Sequence, residues 1–187
     1  MDKLSVLSLN CHGFNEGTLK YLQDKCKNYD FLLLQETWLS DKTSVRLQEI
    51  SPQFSVIHCS AMEDKLQQGY LHGRPFGGTA VLYRRNVARD WDVSLSNSNN
   101  PRCTAVKFCF RDRKDLVIAS VYMPCLDGSL DKDIEYHSTV GYLQGIIDTN
   151  LGCDFIFAGD LNVSKNMEMW LLLDRLLTSV LRTVSYG

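Results

Sequence analysis

No apolar run in this 187-residue sequence is long enough to cross a bilayer. The most apolar stretch, Met167 to Leu181, is short and carries Glu168, Asp174 and Arg175. The N-terminus, MDKLSVLSLNCHGF, lacks the apolar core and small-residue cleavage site of a signal peptide. Without a secretory signal, the glycosylation sequon at Asn162-Val-Ser is a coincidence. The cysteines (Cys11, Cys26, Cys59, Cys103, Cys109, Cys125, Cys153) include no C-x-x-C pair and show no zinc-type spacing. They read as reduced thiols of an intracellular protein, nuclear or cytoplasmic. Excess charge is lacking too. Lys+Arg 20 against Asp+Glu 22 gives a net charge of -2, and cutting the chain after Val93 reveals no basic half. Nucleic-acid binding by bulk charge is excluded, so any handling of phosphate needs a local site. No repeat, low-complexity tract, membrane segment or oligomer signal is present.

What is present is an ordinary apolar content, 44%, which suits one domain over residues 1–187 with a core that needs no staples. Leu4 to Asn10 alternates as a strand, and Asn15 caps a helix with Leu19, Leu22 and Cys26 on one face. Phe31 to Leu34 is a strand buried on both sides. Ser40 starts a second helix running to about Ile50. Five strand-like runs follow with no helix between them: Phe54 to Cys59, Thr79 to Tyr83, Trp91 to Leu95, Thr104 to Phe110 and Leu116 to Met123. That succession implies antiparallel neighbours and not a doubly wound sheet. A helix over Asp131 to Thr149, a buried strand over Phe155 to Ala158 and a last helix over Met167 to Leu181 complete the reading. The expected fold class is α/β, with two packed mixed or antiparallel sheets flanked by helices.

Three apolar strands end in bursts of polar residues: Asn10-Cys11-His12-Gly13, Gln35-Glu36-Thr37-Trp38 and Gly159-Asp160-Leu161-Asn162. Period-2 geometry puts Asn10 with His12, and Asp160 with Asn162, on shared faces at strand ends. Asp or Asn after a strand is commonly just a turn residue. Glu36, directly after a continuous apolar run, needs a partner if buried. An all-oxygen set of this kind suits a hard ion such as Mg²⁺, which takes one or two carboxylates and completes its shell with water and phosphate.

LNCHGF, LLLQETWL, GGTAVLY, VYMP and FAGDLN occur in the order seen in the endonuclease/exonuclease/phosphatase superfamily. QETW, GGTAVLY and GDLN most resemble the apurinic/apyrimidinic-type endonuclease domain of LINE-like non-LTR retrotransposons. The resemblance runs from about Leu4 to Asn162. It implies a four-layer α/β sandwich that hydrolyses phosphoesters with Mg²⁺, or Mn²⁺ in its place, with DNA as substrate and a reverse transcriptase fused or lost downstream. It also implies Glu36 as principal metal ligand with Asn10 beside it. Asp160 would handle a proton, and Asn162 and Tyr122 would bond the scissile phosphate. The family's closing Ser-Asp-His segment has no counterpart here, because no His follows Asn162. The expectation is a domain incomplete at the C-terminus and impaired in activity. The alternatives are an inactive remnant with weak metal or DNA binding, and a superfamily phosphatase or RNA-directed phosphodiesterase.

Neutral imidazole is a poorer Mg²⁺ ligand than carboxylate, so His12 is set with Arg84 and Arg85 as a phosphate or DNA contact. A solvated charged turn competes for both arginines, and Arg102 is equally ambiguous. His58, His72 and His137 read as satisfied or solvated, and Trp38, next to Glu36, as core packing with lining of the site as the alternative.

Overall fold

The apolar runs become eight strands in the computed structural model, which describes residues 4–69, 73–89, 91–95, 100–125 and 127–162. The expected helix over Met167 to Leu181 and the C-terminal incompleteness lie outside the described residues. The first sheet joins β1 (Val6–Asn10), β2 (Phe31–Gln35), β3 (Phe54–Cys59) and β4 (Thr79–Arg84) in the order β1-β2-β4-β3. The second joins β5 (Asp92–Leu95), β6 (Cys103–Cys109), β7 (Leu116–Tyr122) and β8 (Asp154–Asp160) in sequence order. β1 and β2 pair in parallel, as do β7 and β8; every other ladder is antiparallel. The run of strands without long helices thus gives antiparallel neighbours, as its pattern predicts.

Side-chain alternation builds three apolar layers. Even-numbered Leu32, Leu34, Ala80 and Leu82 pack outward against α1 (Glu16–Lys25) and a 3₁₀ turn at Ser44–Ile50. Odd-numbered Phe31, Leu33 and Val81 face inward onto Val106, Phe108, Leu116 and Ile118 of the second sheet. The other face of that sheet, with Val117, Ala119 and Val121, takes α3 (Leu130–Thr149) through Tyr136, Leu143, Ile146 and Ile147. The result is the four-layer arrangement of helix, sheet, sheet and helix. All of β2 is buried, and trimming a side chain such as Leu33 to Ala costs about 2–5 kcal/mol.

Local chemistry explains the departures from sequence expectation. Asn15 caps α1, its Oδ1 accepting from the Gly17 and Thr18 amides at 2.9 and 3.0 Å. The α-helix expected from Ser40 is instead a tight turn leading into the 3₁₀ segment. The Ser40 and Thr43 hydroxyls bond each other, Thr43 Oγ1 also reaches Ser40 O, and Ser44 Oγ donates to Asp41 O, local bonds that compete with a regular helix. A short helix, α2 (Glu63–Gln67), interrupts the strands between β3 and β4. β8, expected to be buried, is half-exposed along its length. Among the described residues no helix is long and apolar enough to cross a membrane.

Candidate active site

The seam between the sheets changes character towards one end. Phe31, Phe108, Ile118 and Ile156 fill its apolar part. Above them the buried Gln35 amide reaches across to Ser120 Oγ at 2.8 Å, and that hydroxyl donates to Leu34 O at 2.8 Å. Thr79 and Thr104 meet across the sheets in the same way. One step further each strand ends, and its last inward-facing position is polar. Asn10, Tyr122 and Asp160 occupy those positions on β1, β7 and β8, and Glu36 follows β2 directly. The two parallel pairs therefore bring their carboxyl ends together.

Asn10 is the hub. Its Nδ2 donates to Glu36 Oε1 at 3.2 Å and to Asp160 Oδ2 at 2.8 Å, and its Oδ1 accepts from the His12 amide at 3.0 Å. Trp38 Nε1 donates to Glu36 Oε2 at 3.3 Å, and His12 Nδ1 stands 3.5 Å from the same oxygen. The Tyr122 phenol also acts on Glu36, favouring its ionised form. Asp160 Oδ1 accepts from the Asn162 amide at 3.1 Å, and Asn162 Nδ2 donates to Met123 O at 2.7 Å.

Electrostatics follow from this net. Burial by itself would raise the Glu36 pKa, but hydrogen bonds from Tyr122 and Asn10, the nearby His12 and the Trp38 donor outweigh it. They hold the carboxyl below the ordinary range. Burial and the bond to Glu36 push the Tyr122 phenol up, so it stays a donor. Burial, helped by the Glu36 charge, pushes the Cys11 thiol up to about 12. It is no nucleophile.

The backbone is strained here. Among the described residues the non-glycine residues with left-handed φ are His12 (44°), Glu36 (49°), Trp38 (56°) and Asn162 (44°), all in the three strand-end loops. Each costs about 1–2 kcal/mol. Backbone bonds hold the loops in place: Gly13 N to Glu36 O at 2.8 Å, Phe14 N to Thr37 O at 2.9 Å, and Trp38 N to Gly77 O at 2.9 Å. Gly13 has φ +94°, and a Cβ there would stand 2.6 Å from the Trp38 ring. A Cβ on Gly78 would stand 2.8 Å from Thr37 Oγ1, so the glycines before β4 allow it to lie against the Glu36 loop.

The structure thus brings Asn10, His12, Glu36, Tyr122, Asp160 and Asn162 to one mouth. Arg84 and Arg85 sit at the other end of the same sheet. Arg84 donates to the Cys26, Lys27 and Tyr29 carbonyls and to Gln53, and Arg85 N bonds Gln53 O. Two residues that the sequence leaves ambiguous also stand at the mouth. Trp38, which reads as core packing, donates to Glu36. Arg102 lies 5.1 Å over the Tyr122 ring, with Nε on Glu135 Oε1 at 2.7 Å. Nothing in the sequence pairs Arg102 with a glutamate on α3. His58 is partnered to Thr37 Oγ1 at 3.0 Å, and His137 is exposed on α3. His72 lies outside the described residues.

Among the described residues no group of three His, Cys, Asp or Glu side chains is arranged to hold a metal ion. An ionised Glu36 with the Asn10 carboxamide beside it suits a hard cation that takes few protein ligands and draws the rest from water and phosphate.

An ionised carboxylate, two carboxamides and a phenol thus gather at one end of the seam between the sheets. The model of the Endonuclease/Exonuclease/phosphatase family matches residues 7–180, and the chain belongs to that family. No curated protein matches it in sequence. Among solved structures it resembles the catalytic domain of Xenopus laevis APE2, with 16% identity and a TM-score of 0.58 over 86% of this chain and 59% of that one. The human Nocturnin catalytic domain is similar at 16% identity and TM-score 0.58, over 91% and 68% of the two chains. TDP2 from C. elegans gives 17% and 0.55, covering 89% of this chain and 49% of that one. At such identities the likeness is one of fold, and the chain spans about half the length of the TDP2 structure.

Proposed function

We propose that this domain hydrolyses phosphodiester bonds in DNA, as an endonuclease of the apurinic/apyrimidinic type found in LINE-like non-LTR retrotransposons. Mg²⁺, or Mn²⁺ in its place, binds at Glu36 and Asn10. The observation that carries the reading is the convergence of Asn10, Glu36, Tyr122 and Asp160 from four strands within one hydrogen-bonded net. A bound divalent ion supplies charge neutralisation at the phosphate. Among the described residues each Asp160 oxygen accepts one bond, from Asn10 Nδ2 or from the Asn162 amide, and a carboxylate oxygen can accept a second, so Asp160 orients the attacking water or assists the leaving oxygen. Asn162, its side chain held by Met123 O, presents its remaining N–H to the phosphate. Tyr122 adds a hydroxyl to the same group, and His12 supports it from the rim.

Nicking of supercoiled plasmid with and without Mg²⁺, beside Glu36→Ala, tests this. Metal-dependent nicking lost in the variant is the expected result. Equal turnover by both proteins removes the site assignment, and preference for inositol phosphates or poly(A) over DNA removes the substrate.

One observation favours a second reading. Of the described histidines only His12 stands at the mouth, and a positioned acid or base is typically worth about 10²–10⁴-fold in rate. A remnant that binds metal or DNA weakly without turnover is the corresponding alternative. Calorimetric Mg²⁺ binding by a cooperatively folding chain that nicks nothing is its signature.

A further inference from the structure

We propose that His12 is itself a ligand of the metal ion, through Nδ1, and that it turns the site from Mg²⁺ towards first-row transition ions such as Mn²⁺. The inference rests on the reading of Glu36 as metal ligand and adds the identity of the ion.

The geometry comes first. His12 Nδ1 and Glu36 Oε2 are 3.5 Å apart. Two ligands of one ion, with bonds of about 2.1 Å, stand roughly 3.0–3.4 Å apart, so a small ring rotation seats both on a single cation. The left-handed backbone at His12, φ 44°, and the bond from its amide to Asn10 Oδ1 fix the Cβ beside the carboxylate. The ring has freedom to make that rotation. The His12 side chain is 75% exposed, against 14% for Glu36, and among the described residues Glu36 is its one ion-pair partner. His58 makes the contrast, its imidazole buried in the first sheet and tied to Thr37.

Ligand chemistry sets the selectivity. Asn10 and Glu36 alone offer oxygen, which suits Mg²⁺ and Mn²⁺ alike. An imidazole nitrogen is taken up by transition ions far more readily than by Mg²⁺. The other donors on Glu36, from Asn10, Trp38 and Tyr122, are half-buried and locked by further contacts. His12 is therefore the partner that can exchange a contact to the carboxylate for one to the ion.

Electron spin-echo spectroscopy of the full chain loaded with Mn²⁺ is the test, with Mn²⁺ and Mg²⁺ affinities measured by calorimetry. His12→Asn serves as the variant, since Asn tolerates the left-handed backbone. Expected are ¹⁴N modulation from a directly bound imidazole that vanishes in the variant, and a loss of Mn²⁺ affinity of about tenfold with Mg²⁺ affinity unchanged. Glu36-dependent Mn²⁺ binding without ¹⁴N modulation overturns the role of His12 and leaves the metal at Glu36 standing. Mn²⁺ binding that survives Glu36→Ala, or no binding at all, overturns the metal site and the inference together.

Discussion

At the carboxyl ends of β1, β2, β7 and β8, polar side chains meet across the two sheets; at the amino ends they turn back onto their own layer. Asp30 Oδ2 accepts from Ser5 N and Ser5 Oγ at 2.9 and 2.7 Å, closing the start of β1 against β2. Arg84 spends its guanidinium on carbonyls of the α1–β2 connection and lies 5.0 Å over Phe54. Lys107 pairs with Asp115 at 3.1 Å. These groups are discharged locally. At the mouth, Asn10 bonds a partner 150 residues away, the backbone is strained, and each Asp160 oxygen takes one bond among the described residues. One end of the strands discharges its polar groups within a layer, and the other gathers strained backbone around a net that joins the two sheets.

The largest expected effect that would break this division is on rate. Asp160→Asn keeps the shape and removes the charge, so nicking should fall about 10²–10⁴-fold while the melting temperature moves by less than about 3 °C. A large fall in melting temperature would make Asp160 a structural residue like Asp30.

Arg84→Ala should do the reverse. Losing its carbonyl bonds and its stacking on Phe54 costs about 2–3 kcal/mol, seen as a fall of roughly 4–10 °C in thermal melting, with nicking unchanged. A rate loss without a stability loss would place Arg84 on the substrate.

His58 sharpens the comparison through pH. Burial lowers its pKa to about 4, so between about pH 6.5 and 4 the unfolded chain binds a proton that the folded chain refuses. Stability should therefore be complete above pH 6.5 and decline as pH falls towards 4. The loss is about 1–2 kcal/mol once partial exposure is allowed for. His58→Asn should flatten that slope in melts taken at pH 7 and 4.5; an unchanged slope would assign the acid sensitivity elsewhere.

The smallest effect is expected from Trp38→Phe, which keeps a ring against Gly13 and deletes the donor to Glu36. Steady-state nicking should fall by about tenfold or less, the value of one ordinary hydrogen bond, with stability unaltered.

Much of the fold was legible because burial follows period. The alternation in Val6–Asn10, the continuous run in Phe31–Gln35 and the Asn15 cap are local facts, and each forms as its residues predict. The Ser40 segment departs from the helix its spacing suggests because the hydroxyls of Ser40, Thr43 and Ser44 bond one another or the Ser40 and Asp41 carbonyls, which spacing does not reveal. The candidate site was legible as three strand ends. The places of Trp38 and Arg102 stayed ambiguous, because they depend on partners, Glu36 and Glu135, whose side chains meet them only after packing.

The sequence by itself determined where the strands lie and which polar residues stand at their ends, since both follow from local periodicity and the cost of burying an unpaired polar group; which face of β2 meets the other sheet it left open, because both faces are apolar. Tertiary structure alone decided that Asn10 bridges Glu36 and Asp160, that Arg84 lies at the far end, and that His12 stands beside Glu36. Those facts depend on register and sheet order, which follow from packing two apolar faces together and cannot be read from any one segment.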